Sequence, residues 1–580
     1  MNRIGVNPEP KTKNSYNLRI FFLLSFLTAF ILLITLRLFS LQIGSHKYYQ
    51  ALAANQHGTD TTIKPGRGDI FLSSFSGAPL LVATTVAKNM VYAVPKEITD
   101  KENTAARLAG FLNLSRQEIL DKVSGTSSFA SLKRDLSDTE SKQIKALKLT
   151  GIYFQPQDTR LYPEKNLASQ VLGFLGFKGD ERVGQYGIEG KFEPELAGVE
   201  GSLGAETDAA GRVINVASRD FVPARDGDDF YLTIDPAIQF KAQEVISNSV
   251  AKHGADSGSV IIMNPKTGAV LAMANFPDFD PNNYGKVKDL AVFSNIAVSG
   301  SYEPGSVFKA ITMAAAINEG KVTPDTTYED FGVVTVDDKQ IKNSDGKAHG
   351  IQNMIQVLGE SLNTGLVFVQ QQIGNEKFKE YVQRFGFGKP TSVELPSQPA
   401  GNLENLNKRG DVFFATASFG QGITVTPIQL LQAYTAFANG GKLIQPYIID
   451  RIVHADGRED KPRPGKPVEV IDSKTSSTIS AMLVDVVENG HGKQAGVKGY
   501  YIAGKTGTAQ VASTTSAGYD KDRNIGSFVG FGPVENPEFL MIVRIDNPRD
   551  VKFAESTAAP AFGEIAQFIL NYMKVQPSRQ

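Results

Sequence analysis

The hydrophobic pattern changes character along the chain. Residues 20–36 form an uncharged, mostly apolar run that resumes after Arg37 with Leu38, Phe39 and Leu41. With Leu18 included, the stretch approaches the ~20 residues a helix needs to span a bilayer. From 44 to about 230 strand-like runs (residues 90–94) mix with helical ones (138–147) among many glycines. From 231 the pattern sharpens. Residues 231–235 read as a strand leading into a helix at Pro236, and residues 259–263 and 269–274 read as two strands joined by a turn at 264–268. Helical patterns follow, ending with a helix expected from about Ala561, just after Pro560, to Met573. Residues 462–467, bounded by prolines, read as an exposed loop. Strand pairs at both ends with helices between them predict an α+β domain with one antiparallel sheet. The expected division is a polar tail at 1–17, an anchor at 18–43, an elongated mixed α/β domain at 44–230 and the α+β domain at 231–580.

Composition narrows the class. Hydrophobic residues make up 41% and charged residues 21% of 580, ordinary for globular domains. A net charge of -1 provides no global field to draw nucleic acid or anionic surfaces. The absence of cysteine excludes disulfides, thiolate metal sites and a cysteine nucleophile. The six histidines, at 46, 57, 253, 349, 454 and 491, are never spaced i, i+4, as a helical zinc site requires. Arg3, Lys11, Lys13 and Arg19 precede the apolar run against the single acid Glu9. That bias places the N-terminus in the cytoplasm and the chain beyond 43 outside. Ala51-Leu52-Ala53 has the small residues of a cleavage site, but it lies well past a run longer than a signal peptide's apolar core. An uncleaved single-pass anchor in the plasma membrane is therefore expected. Ser25, Thr28 and Thr35 within it are able to hydrogen-bond either a neighbouring helix or their own.

Three short segments carry candidate chemistry. In Glu303-Pro304-Gly305-Ser306-Val307-Phe308-Lys309, a turn precedes a helical run. Ser306 then stands at a helix start with Lys309 one turn on, on the same face. A serine hydroxyl needs a base to take its proton, and a buried lysine, its pKa lowered, can be that base. A helix N-terminus adds positive potential where negative charge develops. The second segment is Ser361-Leu362-Asn363, uninformative alone. The third is Lys505-Thr506-Gly507-Thr508, read as an exposed strand after Tyr500-Tyr501-Ile502 and suited to a carboxylate-ended peptide added as a strand.

In this order, S-x-x-K, S-x-N and K-T-G form the set shared by penicillin-binding proteins and class A β-lactamases. The context of Tyr302-Glu303-Pro304-Gly305-Ser306, of Ser418-Phe419-Gly420-Gln421-Gly422 with Val425-Thr426-Pro427, and of residues 503–510 resembles class B penicillin-binding proteins. Arg67-Gly68-Asp69-Ile70, Arg160-Leu161-Tyr162-Pro163 and Gly184, Gly187, Glu189, Leu196, Gly198 and Gly201 resemble that family's pedestal (dimerisation-type) domain. The resemblance covers roughly residues 20–575 and is nearest the division-specific branch, with the elongation branch as the alternative. Two departures stand out: residues 71–77 replace the usual Asp-Arg-Asn-Gly turn, and Gly490-His491-Gly492-Lys493 replaces a Gly-Thr pair.

The resemblance implies a β-lactamase-like transpeptidase domain behind a pedestal, and a stem peptide ending in D-Ala-D-Ala as substrate. Lys309 would deprotonate Ser306, and the backbone N–H groups of Ser306 and Thr508 would hold the oxyanion. Ser361 would relay a proton to the leaving amine, and Asn363 would orient Lys309 and the substrate amide. Lys505, Thr506, Gly507 and Thr508 would shape the site and bind the terminal carboxylate. β-Lactams would acylate the same serine, with no metal or organic cofactor. A separate membrane glycan polymerase and division proteins are the implied partners. A β-lactamase would need a water-activating carboxylate, and Glu404-Asn405-Leu406-Asn407 faintly resembles that element. A β-lactam sensor would need a signalling domain, for which the 17-residue polar tail leaves no room.

Overall fold

The computed structural model describes residues 13–49, 58–75, 77–179, 181–206, 220–512 and 518–579. Residues 1–12 of the polar tail, Ala51-Leu52-Ala53 and Ser76 of the departing turn lie outside them. The chain divides into two compact units, residues 1–65 with 199–225, and residues 66–198 with 226–580.

In the first unit, helix α1 (Lys13–Phe39) continues into a π-helical turn at Ser40–Gly44. The segment Asn17–Gly44 reaches a mean hydropathy of 2.4 over its most apolar 18 residues, none of which is buried. At 1.5 Å per residue it reaches ~40 Å, longer than the ~30 Å hydrocarbon core. The Thr28 and Thr35 hydroxyls donate to the carbonyls of Leu24 and Ile31, each at 2.8 Å. These two threonines are thus satisfied within their own helix. The strands Gly58–Ile63, Gly201–Glu206 and Asp220–Val222 form an antiparallel sheet in the same unit.

The second unit holds two larger sheets. In the seven-stranded one, Asp229–Leu232 pairs in parallel with Ile70–Leu72 and antiparallel with Ile449–Val453. This strand stands at the expected 230/231 division and joins early sequence to late. The three motifs of the early segment meet in one buried ion network. Arg67 Nη2 lies 2.5 Å from Glu189 Oε2 and 2.6 Å from Glu193 Oε2, while Arg160 Nε lies 2.7 Å from Glu189 Oε1. The Tyr162 hydroxyl donates to Glu189 Oε1 at 3.1 Å. Glu189 is fully buried; burial pushes its carboxyl up, but Arg160 and Arg67 outweigh it and hold it below the usual range. The motif glycines follow from close backbone contacts. A Cβ on Gly68 would stand 2.0 Å from the Asp228 carbonyl oxygen, and one on Gly184 2.0 Å from that of Glu189.

The five-stranded sheet is wholly antiparallel. It comprises β1 (Ser257–Met263), β2 (Val270–Phe276), β3 (Ala503–Ala512), β4 (Tyr519–Gly532) and β5 (Phe539–Asp546), ordered β2-β1-β5-β4-β3. All eight residues of β5 are buried, so both faces are covered. Val260, Ile262, Met541, Val543 and Ile545 share a core with Ile238, Val245, Phe562 and Ile565 of helices α2 (Pro236–His253) and α6 (Ala558–Tyr572). Ile261, Met263, Leu540 and Ile542 face a second core, with Leu430, Leu431 and Tyr434 of α5 (Pro427–Ala438). The alternation of strand side chains thus sorts one apolar run into two cores. Burying such a Val, Leu or Ile side chain is worth about 1.5–3 kcal/mol.

The α+β expectation holds, with adjustments at element ends. The last helix begins at Ala558, three residues early, because Pro560 sits in its first turn, where no N–H is needed. The strand bearing Lys505 begins at Ala503, so residues 500–502, whose pattern is strand-like, precede it outside the sheet. The helix expected at 138–147 spans Asp138–Ala146, with a Ser137–Glu140 capping box fixing its start.

Candidate active site

Ser306 lies in a 3-10 turn (Gly305–Phe308) that runs directly into α3 (Lys309–Asn318). The turn is braced from below by residues 418–425. Gly305 N donates to the Gly420 carbonyl at 3.0 Å, and Tyr302 and Val425 exchange two backbone bonds of 2.9 Å. Gly420 has φ +80, and a Cβ there would fall 2.3 Å from the Gly305 carbonyl oxygen. Only glycine fits both demands. Thr312 Oγ1 donates to the Ser418 carbonyl at 2.7 Å, and the buried Tyr434 hydroxyl donates to the Val307 carbonyl at 2.5 Å. The S-F-G-Q-G segment is therefore the support of the serine turn.

Two lysines converge beside it. Lys309 is fully buried, and its Nζ donates to the Ser361 carbonyl at 2.5 Å and to Ser361 Oγ at 3.2 Å. Lys505 is also fully buried, with Nζ 3.0 Å from Ser361 Oγ, 3.3 Å from the Thr506 carbonyl and 3.4 Å from Thr506 Oγ1. Burial, and then the charge of Lys505, hold the Lys309 amine well below the usual lysine range. Burial brings Lys505 down to about 7 against an opposing pull from Glu555. Ser361 has φ +56, the left-handed region that non-glycine residues seldom adopt. Such a conformation costs of order 1–3 kcal/mol and clusters at functional sites. Here its carbonyl and hydroxyl both serve the lysines. Ser306 is half-buried, and among the described residues no hydrogen bond joins its hydroxyl to either lysine. Such bonds are often long without substrate and tighten in the complex.

Strand β3 is the sheet's edge strand, yet it is not exposed as expected: Lys505 and Thr506 are buried, and the serine turn packs against the strand at Gly507. A Cβ on Gly507 would meet Val307 Cγ1 at 2.9 Å and the Pro304 carbonyl oxygen at 3.2 Å, so the glycine admits the close approach. Thr508 Oγ1 accepts from Ala554 N at 3.2 Å. Asn363 opens α4 (Asn363–Ile373) and its Nδ2 donates to the Lys342 carbonyl at 2.8 Å. Among the described residues no hydrogen bond links Asn363 to Lys309, whose bonds go to Ser361.

Sequence reasoning missed several supports. Asp330 is buried and accepts from Thr364 Oγ1 at 2.7 Å, Asn343 Nδ2 at 2.8 Å and the Gly332 and His349 N–H groups at 3.0 Å. It pins the segment before the S-x-N residues to the start of α4. Its only local signal was an Asp-x-Gly turn. In the E-x-x-N stretch, Glu404 is exposed while Asn405 Nδ2 donates to the Gly422 carbonyl at 2.7 Å. The asparagine, not the carboxylate, serves the site. His491 is exposed, with Nδ1 2.8 Å from Glu555.

Residues 258–567 match the family described as penicillin binding protein transpeptidase domain, and residues 62–232 match the penicillin-binding protein dimerisation domain. The chain belongs to the penicillin-binding protein transpeptidase family. This penicillin-binding protein is 35% identical to stage V sporulation protein D of Bacillus subtilis, over 97% of this chain and 86% of that protein. It is 32% identical to the probable peptidoglycan D,D-transpeptidase PbpC of Pseudomonas aeruginosa, over 93% of each. Penicillin-binding protein 3 of Mycobacterium tuberculosis, solved with aztreonam, superimposes with a TM-score of 0.69 at 27% identity, covering 89% of this chain and 98% of that one. The family is one of serine acyl-transfer enzymes, and residues 306, 309, 361, 363 and 505–508 of this penicillin-binding protein all fall within the transpeptidase match.

Proposed function

We propose that Ser306 is the nucleophile through which this enzyme cross-links peptidoglycan stem peptides ending in D-Ala-D-Ala. The observation that carries this reading is the pair of buried lysines sharing Ser361 Oγ beside the serine turn. Lys309, its amine held well below the usual lysine range by burial, takes the Ser306 proton as the hydroxyl attacks the penultimate D-Ala carbonyl. The N–H groups of Ser306 and Thr508 receive the developing oxyanion, each such donor being worth ~3–4 kcal/mol. Ser361 passes a proton toward the leaving D-Ala nitrogen. Asn363, held by Lys342, orients the substrate amide, and Lys505 with Thr506, Gly507 and Thr508 receives the terminal carboxylate. An amine from a neighbouring stem then attacks the acyl-enzyme, restoring the serine. β-Lactams acylate the same hydroxyl.

We place helix α1 across the plasma membrane with its basic flank in the cytoplasm, the pedestal over 44–230 and the transpeptidase domain over 231–580 outside. A glycan polymerase and division proteins are the partners of this reading. The S-F-G-Q-G form supports septal synthesis, and elongation is the alternative branch. The sporulation protein among the relatives favours a second reading, the same chemistry in a developmental wall. The test is incubation of the full-length protein in detergent with a D-Ala-D-Ala stem-peptide donor and an amine acceptor. Release of D-Ala with formation of the cross-linked product, both lost in Ser306→Ala, is expected. Equal product from the Ser306→Ala variant would overturn the assignment.

A further inference from the structure

Glu303 has no part in the chemistry above, yet it stands three residues before Ser306 with its carboxylate half-buried. Its Oε2 accepts from the Tyr519 hydroxyl at 2.9 Å, and its Oε1 accepts from Gly422 N at 3.1 Å. One side chain thus joins the serine turn, the supporting 420–422 turn and the start of β4. A second rung lies beside it, where Gln421 Nε2 donates to Gln510 Oε1 at 3.1 Å. Both rungs meet the β3–β4 hairpin at one end. There the ladder is irregular: Gln510 pairs with Asn524, but the register shifts before Ala512 pairs with Tyr519. A shift of this kind leaves backbone groups unpaired and bends the strand. The position of β3 just beyond Thr508 is therefore set by side-chain contacts as well as by the ladder.

We propose that Glu303 and Tyr519 are positioning residues that fix the spacing between the serine turn and β3, and thereby the spacing of the two oxyanion donors. This rests on the reading of Ser306 and Thr508 given above. Both bonds to Glu303 come from donors, so the ionised carboxylate is the form that accepts them. Burial pushes its carboxyl up, while the Tyr519 and Gly422 donors pull it back. Burial and the Glu303 charge push the Tyr519 phenol up, which keeps it protonated and donating. Neither residue touches the lysines in the hydrogen-bond pattern of the site. Loss of either leaves the chemical groups in place and loosens their spacing, a fault that falls on the chemical step.

The experiment measures acylation of the full-length protein by a chromogenic β-lactam in stopped flow, separating the non-covalent dissociation constant from the acylation rate constant. The variants are Tyr519→Phe, Glu303→Gln and their double. A hydrogen bond to a charged group corresponds to a loss on the order of tenfold. Each single variant is expected to lose about that in the rate constant with the dissociation constant unchanged. The double variant is expected to be no slower than the worse single one, as coupled residues behave. A role in stability alone would lower the melting temperature and leave the rate constant of the folded enzyme intact, which would overturn the proposal, as would fully multiplicative losses. Wild-type protein that is not acylated at Ser306 would remove the underlying reading. Normal wild-type acylation with unaffected variants would remove the positioning role alone.

Discussion

Lys309 and Lys505 are both fully buried and meet on one hydroxyl, Ser361 Oγ, at 3.2 and 3.0 Å. Two ammonium groups so placed disfavour each other's charge and are both penalised by burial. Burial, and then the charge of Lys505, hold the Lys309 amine well below its ordinary value, and burial brings Lys505 down to about 7. Environments that push two like groups apart are how one site obtains a base and a cation together. In the mechanism proposed above, Lys309 is the base of this pair and Lys505 the cation.

Replacing Lys309 with arginine keeps a charge and removes the neutral form, because arginine stays protonated. Acylation by penicillin should fall by ~10²–10⁴-fold, the range for loss of a general base. Stopped-flow acylation of Lys309→Arg checks this. Near-wild-type rates would mean that Lys309 supplies charge only.

The same pair sets a pH profile. As pH rises through the depressed value of Lys309, the neutral base fills and acylation increases. As pH rises above about 7, Lys505 loses the charge that receives the carboxylate, and binding weakens. The expected profile is a bell whose limbs belong to the coupled pair. For stability the sign is fixed separately. A lysine with a lowered folded pKa contributes fully above its unfolded value of ~10.4 and loses that contribution as pH falls through about 7. Acylation rates and melting temperatures across pH 6 to 10 measure both. The stability arm rises with pH where the activity arm declines.

Glu404 is exposed, and its neighbour Asn405 carries the contact to Gly422. The acyl-enzyme lifetime in Glu404→Gln should equal that of the wild type. Loss of rapid β-lactam hydrolysis in that variant would identify the protein as a β-lactamase instead.

Much of this site was legible because its signals are local. The S-x-x-K spacing puts Ser306 and Lys309 one turn apart, and the strand–turn–strand at 257–276 is written in alternation and an Asn-Pro-Lys-Thr-Gly turn. The rest depends on contacts between residues distant in sequence. Lys505 read as lying on an exposed strand, because nothing near it announces that the turn before Lys309 packs against that strand. The left-handed backbone of Ser361 presents its carbonyl and hydroxyl to two lysines from other elements, and serine itself carries no such preference. Asn363 turns to Lys342 across a segment pinned by Asp330. Arg67, Arg160 and Glu189 were visible as three motifs, but their union in one ion network needs the folded chain.

That network makes its own prediction. Glu189→Gln leaves the buried Arg160 with its partner uncharged and Arg67 with Glu193 alone, and removing one partner of a buried pair costs ~3–5 kcal/mol. Chemical denaturation of a fragment lacking α1 should show a loss of that size. Because the folded pKa of Glu189 is lowered, its contribution is complete above the unfolded value of ~4.3 and is lost as pH falls through the folded value. Unchanged stability in Glu189→Gln at neutral pH would show that the network adds nothing net.

The central claim is that Ser306 is the acylated residue, and intact-mass measurement after exposure to benzylpenicillin tests it most directly. One adduct per chain is expected, located by peptide mapping to the segment containing Ser306 and absent from Ser306→Ala. An adduct on Ser361, or no adduct on the folded wild-type protein, would contradict the account.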